Sequence, residues 1–186
     1  MNHCINCPLR MFDKHYNHKG VGNPTYGKFI VIPNVDYDAY KKGMTYSKYV
    51  QIVQEVLSPF TGGLEDYYIV PLIRCRLVKE CPVNDAVISH CINYTHRDIF
   101  KYNAVKIMLL GDAAKYFMNV DTISEITNKI YLLKDNVSIR GYSASYSPFV
   151  KYTDDNKYKE FCNHLTRWYN ANKENDYNGY KIEMLQ

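Results

Sequence analysis

Short apolar runs alternate with segments of helical periodicity along most of the chain. Three runs have the length and composition of buried strands, at residues 28–33, 67–73 and 105–110. The first two strands are expected to end at or near Pro33 and Pro71, because proline cannot donate a hydrogen bond to a neighbouring strand. Two or three further strands are expected between residues 129 and 146.

Helical spacing of apolar residues predicts helices at residues 46–57, 83–102, 112–118 and 155–172. Buried strands separated by helices need crossover connections, so the pattern predicts an α/β fold whose parallel sheet is covered on both faces. The length of 186 residues favours one domain over residues 1–186, in which the polar stretch at about 173–186 forms a flexible tail. In an open α/β sheet the ligand site lies beyond the carboxyl ends of the strands.

Composition excludes several classes of protein. No apolar run approaches the roughly 20 residues that cross a membrane, and the N-terminus lacks the apolar region of a signal peptide. The chain is therefore expected to lie in the cytoplasm of a bacterium or of a phage-infected cell, since its many Tyr, Asn and Lys residues are typical of an AT-rich genome. The net charge of +4 permits an anionic partner without requiring one.

Six cysteines in a reducing compartment favour metal binding or buried thiols over disulfides. Cys4 and Cys7 form a CxxC pair. Cys75 lies at the end of the second predicted strand, and Cys91 lies on the inward face of the next predicted helix. Four thiolates can hold a tetrahedral zinc ion or a cubane iron–sulfur cluster. The alternatives are a set of unrelated buried thiols, or a site in which Cys81 replaces one of these ligands.

Five segments follow one another at characteristic distances: CINCPL at 4–9, GMTY at 43–46, IVPLIRC at 69–75, VKIMLLGDAA at 105–114 and YSPF at 146–149. In order and spacing they resemble the landmarks of the family 4 uracil-DNA glycosylases. The resemblance implies a three-layer α/β/α fold with a central, mostly parallel sheet and a pocket that faces nucleic acid. It also implies a [4Fe-4S] cluster, with zinc as the alternative, on four ligands: Cys4, Cys7, Cys75 and Cys91.

At the active-site positions the chain departs from the family that it resembles. The water-activating motif of the family falls on residues 32–36, IPNVD, which contain neither its glutamate nor its glycines. The uracil-reading asparagine falls at Pro71 and the histidine at Ser147, whereas the base-stacking aromatic residue is retained as Tyr46. Because one lost donor typically lowers the rate roughly 100- to 1,000-fold, ordinary uracil excision is not expected.

The leading hypothesis is therefore a catalytically degenerate, cluster-bearing module of phage or bacterial DNA replication or repair. Its expected partner is DNA, as a single strand or a flipped base, or else a protein of DNA metabolism, and the module itself is expected to be a monomer. Stacking, hydrogen bonding and phosphate contacts would carry the binding. The residues expected to make these contacts are Asn34, Tyr46, Arg74, Tyr146, Ser147 and Phe149.

Two other functions stay open. In a divergent DNA glycosylase with a rearranged site, Asp36 or Asp38 would act as the general base, since both follow the first predicted strand. In a structural protein, zinc would staple the N-terminal segment to the domain. Whether the chain is an enzyme therefore depends on the geometry at the strand ends.

Overall fold

The computed structural model describes residues 7–12, 18–134, 138–171 and 181–184, so Cys4 lies outside the described residues. The strands are β1 (Val21–Gly22), β2 (Lys28–Val35), β3 (Tyr68–Arg76), β4 (Lys106–Leu110), β5 (Lys129–Lys134), β6 (Ile139–Ser145) and β7 (Lys181–Met184). The helices are α1 (Tyr37–Lys42), α2 (Lys48–Leu57), α3 (Asp85–Lys101), α4 (Asp112–Met118) and α5 (Asp155–Asn170).

All seven strands join one sheet in the order β1-β3-β2-β4-β6-β5-β7. Strands β3, β2, β4 and β6 are parallel neighbours, and β7 is parallel to β5. The pairs β1–β3 and β5–β6 are antiparallel. The prediction of a mostly parallel sheet is confirmed. The parallel strands β2, β4 and β6 end side by side, and this border of the sheet is called the carboxyl edge below.

Successive residues of the central strands supply two separate cores. Ile30 and Ile32 of β2 point to one face, where helices α2 and α5 cover them with residues such as Val53 and Leu165. Phe29 and Val31 point to the other face and pack with α3, α4 and the neighbouring strands. Because both faces are covered, β2, β3 and β4 carry near-continuous apolar runs and not an alternating pattern, and the α/β/α layering agrees with the expectation.

Both prolines lie inside strands, so the predicted strand ends at Pro33 and Pro71 are wrong. Strand β2 continues to Val35 and β3 to Arg76. At each proline, one side of the strand has no neighbouring strand paired with it among the described residues. Strand β4 pairs with β2 only as far as Val31, and β1 pairs with β3 only as far as Ile69. A missing N–H is tolerated at such positions.

Three of the described strands and helices, namely β1, α1 and β7, were not among the sequence-based predictions. Helix α1 follows β2 directly and begins at Asp36, whose carboxylate accepts a hydrogen bond from the N–H of Ala39 at 2.8 Å. Strand β7 lies within the stretch expected to be a flexible tail and pairs with β5 at Lys129 to Leu132. Among the described residues, no helix combines the length and the apolar character needed to cross a membrane.

Candidate functional site

A pocket of about 430 Å³ opens at the carboxyl edge, where a ligand site is expected in an open α/β sheet. It lies among the last residues of β2, the residues that follow β4 and β6, and the first turn of α2, and it is called the edge pocket. Its volume falls in the range of roughly 300–1,000 Å³ typical of small-molecule sites. The lining residues are Pro33, Asn34, Tyr49, Gly111, Asp112, Lys115, Asp121, Thr122, Ile123, Ser124, Tyr146, Ser147, Val150 and Lys157.

Gly111 forms the floor of the edge pocket and joins β4 to α4. Its backbone has φ 56° and ψ −136°, a conformation that side-chain-bearing residues rarely adopt. A Cβ at this position would lie 2.9 Å from the Cβ and 3.2 Å from the Cα of Ser147, and 3.5 Å from Pro33. Only glycine therefore lets the loop after β6 approach the ends of β2 and β4 closely enough to shape the pocket.

Asn34 and Tyr49 place an amide and a phenol side by side on one wall. The Tyr49 hydroxyl lies 3.5 Å from Oδ1 of Asn34, and the Asn34 amide donates to the carbonyl of Val35 at 3.2 Å. Burial, followed by the charges of Asp36 and Asp112, raises the pKa of Tyr49, so its hydroxyl stays protonated and able to donate. Asn34 was expected in the site, whereas Tyr49 was assigned to the core from its helical spacing.

The loop after β6 also lines the edge pocket, through Tyr146 and Ser147. Tyr146 is half-buried and packs against the same core as α2 and α5. Ser147 caps the short helical turn at residues 148–152, its Oγ accepting the N–H of Phe149 at 3.3 Å. Phe149 itself does not line the edge pocket; its ring packs behind the wall, with its centroid 4.4 Å from that of Tyr49. Two of the three residues expected from this loop thus reach the pocket.

Asp36, a candidate general base, does not line the edge pocket, and its carboxylate has a structural role. One oxygen caps α1 as described above. The other accepts the hydroxyl of Ser47 at 2.7 Å and the N–H of Lys48 at 2.8 Å. With three donors on two oxygens, Asp36 closes the loop between β2 and α2, and the assignment of a base role to it is corrected.

Asp38, the other candidate base, lies in the first turn of α1. Its carboxylate is 3.8 Å from Nζ of Lys42, one turn later on the same helix. This spacing is that of an ordinary ion pair along a helix surface. Asp38 is also absent from the pocket lining, so the structure gives neither predicted carboxylate a position from which to activate water there.

Tyr46 and Arg74 lie elsewhere than the resemblance implied. Tyr46 does not line the edge pocket; it is 52% exposed on the outer side of the loop that precedes α2. Arg74 is only 4% exposed, and its guanidinium pairs with the carboxylate of Asp98 at 2.6 Å and lies over the ring of Tyr94. A buried, paired arginine cannot reach a phosphate on a bound strand, so its predicted contact is corrected.

The sequence-based reasoning missed the charged residues of the edge pocket. Asp112 and Lys115, in the first turn of α4, form an ion pair of 3.2 Å at the mouth. Asp121 and Lys157 approach from the segments before β5 and at the start of α5. The available signal was the position of Asp112, because it follows the third buried strand directly, where chemistry was expected.

A buried polar chain lies beneath the loop that follows β6. His164 of α5 contacts Oγ of Ser145 through Nδ1 at 3.1 Å and Oδ1 of Asn128 through Nε2 at 3.0 Å. An amide oxygen only accepts, so Nε2 carries the proton and Nδ1 accepts the serine hydroxyl. The triad holds together three segments: the end of β6, the approach to β5, and α5. Ser145 and His164 are buried, so this is a structural arrangement and not an exposed nucleophile.

Acid is expected to weaken the fold through His164. Burial lowers the pKa of His164 in the folded protein, so below about pH 6.5 the unfolded chain binds a proton that the folded chain does not. The free energy of unfolding should then fall as pH drops from 7.5 to 5.0, which urea titration measures. His164→Gln should flatten this dependence, whereas Ser145→Ala should lower stability with the slope retained. Equal slopes in His164→Gln and the wild type would contradict the assignment.

Four of the five cysteines that the structure describes lie together. Cys7, Cys75 and Cys91 are buried in one small cluster with Cys81, behind β3 and against α3, with Leu9 among its apolar members. Among the described residues no three Cys, His, Asp or Glu side chains are arranged to hold a metal ion. Sulfur donors shielded from water are the ligand chemistry that a soft metal or an iron–sulfur cluster requires, but the described thiols by themselves do not form such a site. Cys162 lies apart on α5.

No protein-family model matches the chain, and no curated protein matches it in sequence. The edge pocket and the cysteine cluster are therefore the two features of the described residues that bear on function.

Proposed function

We propose that the chain binds an unpaired nucleobase in the edge pocket and does not carry out ordinary uracil excision. It would act as a degenerate, uracil-DNA glycosylase-like module of phage or bacterial DNA metabolism. The observation that carries the proposal is the pocket itself, at the ends of three parallel strands, with Tyr49 and Tyr146 among its lining residues.

The chemistry of the pocket walls suits a base. A nucleobase is a flat ring with donors and acceptors on its rim, and it is bound by stacking together with a few directed hydrogen bonds. The pocket offers an amide at Asn34, a protonated phenol at Tyr49 and a hydroxyl at Ser147. These groups can both donate and accept, so they support binding of a base without selecting uracil strictly.

Two features speak against excision of uracil: the position of the carboxylate that follows β2, and the residue that replaces the histidine of the glycosylases that the chain resembles. The carboxylate that follows β2, Asp36, is held by three donors in the loop and does not face the pocket. Serine stands at position 147, where the family has a histidine to stabilise charge on the leaving base. Both a positioned base and a stabilising donor are lost, and such losses lower a rate by orders of magnitude.

We also propose that Cys7, Cys75 and Cys91, together with Cys4, hold a [4Fe-4S] cluster, with zinc as the alternative metal. Their shared burial supports this assignment. The cluster or zinc ion would link the N-terminal segment to β3 and α3. It would not supply redox chemistry at the edge pocket. Cys81 lies in the same cluster, at a turn closed by its N–H to the carbonyl of Val78, and it is the rival ligand.

A second candidate function rests on Asp112. Its carboxylate lines the edge pocket and lies close enough to Tyr49 to raise the pKa of that phenol. In a divergent glycosylase, Asp112 would be the general base that takes a proton from the attacking water while the bond between base and sugar breaks. This candidate keeps the same pocket and replaces Asp36 or Asp38 by a carboxylate that faces the ligand.

The test measures binding of a fluorescent single-stranded DNA of 15 nucleotides at low salt. The release of free base is measured on the same samples. Asn34→Ala and Tyr49→Phe each remove one recognition group and should weaken binding roughly fivefold to tenfold. The matched control is Tyr102→Phe, because that ring packs against Phe29 and Tyr68 on the other side of the sheet.

Each outcome decides between the candidates. Binding without base release, weakened in the two pocket variants, supports the binding module. Release of a base that disappears in Asp112→Asn supports the divergent glycosylase. If the wild type binds neither single-stranded nor duplex DNA, the nucleic-acid proposal fails and a protein partner takes its place.

A further inference from the structure

The residues between β2 and α2 form a closed loop, called here the 36–48 loop. Its two ends are joined by the carboxylate of Asp36, which contacts both Ser47 and Lys48 as well as the N–H of Ala39. Charge-assisted hydrogen bonds of 2.7–2.8 Å to a carboxylate are among the stronger ones in proteins. The loop is therefore a preformed surface, anchored by Ala39 and Met44 in the core, and Tyr37 and Tyr46 are its exposed rings.

The outer side of the 36–48 loop alternates rings and cations. Tyr37 is 59% exposed, and the ammonium of Lys41 lies 5.8 Å from its ring centroid. Arg76, from the end of β3, places its guanidinium 5.3 Å from the same ring and 5.2 Å from the ring of Tyr40. The exposed ring of Tyr46 lies 5.9 Å from the ammonium of Lys42. Such spacings are those of cation–π contacts.

The charge of this surface is positive. Its cations are Lys41, Lys42, Lys48 and Arg76, and its carboxylates are Asp36 and Asp38. The carboxylate of Asp36 is already engaged by its three donors inside the loop. Exposed rings interleaved with cations are the arrangement by which proteins follow a single strand, stacking unpaired bases while contacting the phosphates. A duplex has no unstacked bases to offer to these rings.

The 36–48 loop is continuous with the edge pocket. Asn34 lines the pocket two residues before the loop begins, and Tyr49 lines it one residue after the loop ends. We propose that the 36–48 loop and Arg76 bind the stretch of single-stranded nucleic acid next to the base in the edge pocket, through Tyr37 and Tyr46 as stacking rings and Lys41 and Lys42 as phosphate contacts. This inference rests on the proposed function and extends it from one base to a strand.

The test measures how tightly the full chain binds an oligothymidine of 15 nucleotides and a duplex of 15 base pairs. Tyr37→Ala combined with Tyr46→Ala should weaken binding of the single strand at least tenfold and leave the duplex nearly unchanged. Both rings are exposed, so the variant should keep the melting temperature of the wild type. The matched control is Tyr26→Ala, because this ring is 55% exposed at the opposite, amino end of the strands.

The phosphate contacts are tested separately by salt. Each phosphate contact on a single strand contributes about 0.7 to the slope of log affinity against log salt. Lys41→Gln combined with Lys42→Gln should therefore reduce the steepness of that slope by about 1.4. Lys134→Gln, an exposed cation at the end of β5, should leave the slope unchanged.

The outcomes separate this inference from the proposed function. If the wild type binds the single strand and Asn34→Ala weakens it, but the loop variants bind like the wild type, the 36–48 loop is not the contact surface. If the tyrosine variant loses duplex and single strand equally, the assignment of unpaired bases to the rings is wrong. If the wild type binds neither nucleic acid, the proposed function itself fails.

Discussion

We expect two effects when serine replaces Cys7, Cys75 or Cys91. The proposed metal should be lost, and the domain should be severely destabilised. Each of these thiols is buried in the cysteine cluster. Losing one ligand of a structural metal site forfeits much of a binding free energy that reaches about 10–16 kcal/mol for structural zinc. We expect a loss of at least about 3 kcal/mol in the free energy of unfolding. For a chain of this length that lowers the melting temperature by roughly 6–12 °C.

Metal content is the decisive readout, because a buried serine hydroxyl without a partner already costs about 1–3 kcal/mol. Iron, acid-labile sulfide and zinc should be measured on anaerobically purified protein. Cys162→Ser is the matched control: this thiol is half-buried on α5, outside the cluster, and its variant should keep the full metal content. Cys4→Ser should behave like the three buried variants, and Cys81→Ser like the control.

Two results would change the assignment. Zinc without iron or sulfide would replace the [4Fe-4S] cluster by the zinc staple. A wild-type protein with neither metal would mean that the thiols only pack together, as small buried side chains often do. Loss of metal in Cys81→Ser with retention in Cys75→Ser would exchange these two ligands.

The sequence predicted the layers well because β2, β3 and β4 each contain a near-continuous apolar run. The apolar runs at residues 28–33 and 105–110 predict strands that are buried on both faces. The two cores, one on each face of the sheet, confirm this prediction. The strand ends were wrong at Pro33 and Pro71 for a reason that is not local. A proline ends a strand only where its missing N–H is needed, and that depends on which neighbour lies alongside, forty or more residues away in the chain.

A pocket lies where the sequence predicts a ligand site, but several of the predicted residues do not line it. The rule that ligands bind beyond the carboxyl ends of strands located the edge pocket, together with Asn34, Tyr146 and Ser147. Asp36 was misassigned because its position after β2 resembles that of a catalytic carboxylate. Its partners Ser47 and Lys48 lie eleven and twelve residues later, and nothing in the local pattern shows that the loop closes on them.

Burial also separated residues that look alike in the sequence. Arg74 and Arg76 are two positions apart on β3, and nothing in the local sequence distinguishes the environments of their side chains. In the structure Arg74 pairs with Asp98 across the buried face toward α3, whereas Arg76, at the end of the strand, lies over the rings of Tyr37 and Tyr40. The sequence alone did not show where β3 ends or which residue α3 places opposite Arg74.

Alanine at Gly111 is expected to cost about 2–6 kcal/mol in the free energy of unfolding and to abolish the proposed base binding. Two effects add. The backbone conformation of Gly111 is strained for any residue with a Cβ, which costs about 1–3 kcal/mol. The new Cβ would also lie 2.9 Å from the Cβ of Ser147, and relieving such overpacking costs about 1–3 kcal/mol. Pushing Ser147 away from β2 and β4 would deform the floor of the edge pocket.

Two glycines of one turn separate these effects. Gly63 has φ 124° with no atom within 4 Å of a built Cβ, so Gly63→Ala reports backbone strain without a clash. Gly62 has no positive φ, and its nearest neighbour is a side-chain oxygen of Asp66 at 3.9 Å, so Gly62→Ala should change stability by less than about 0.5 kcal/mol. Urea unfolding of the three variants, with DNA binding measured well below each melting temperature, gives the comparison. If Gly111→Ala is no less stable than Gly63→Ala and still binds DNA, the close approach of the loop after β6 does not shape the pocket.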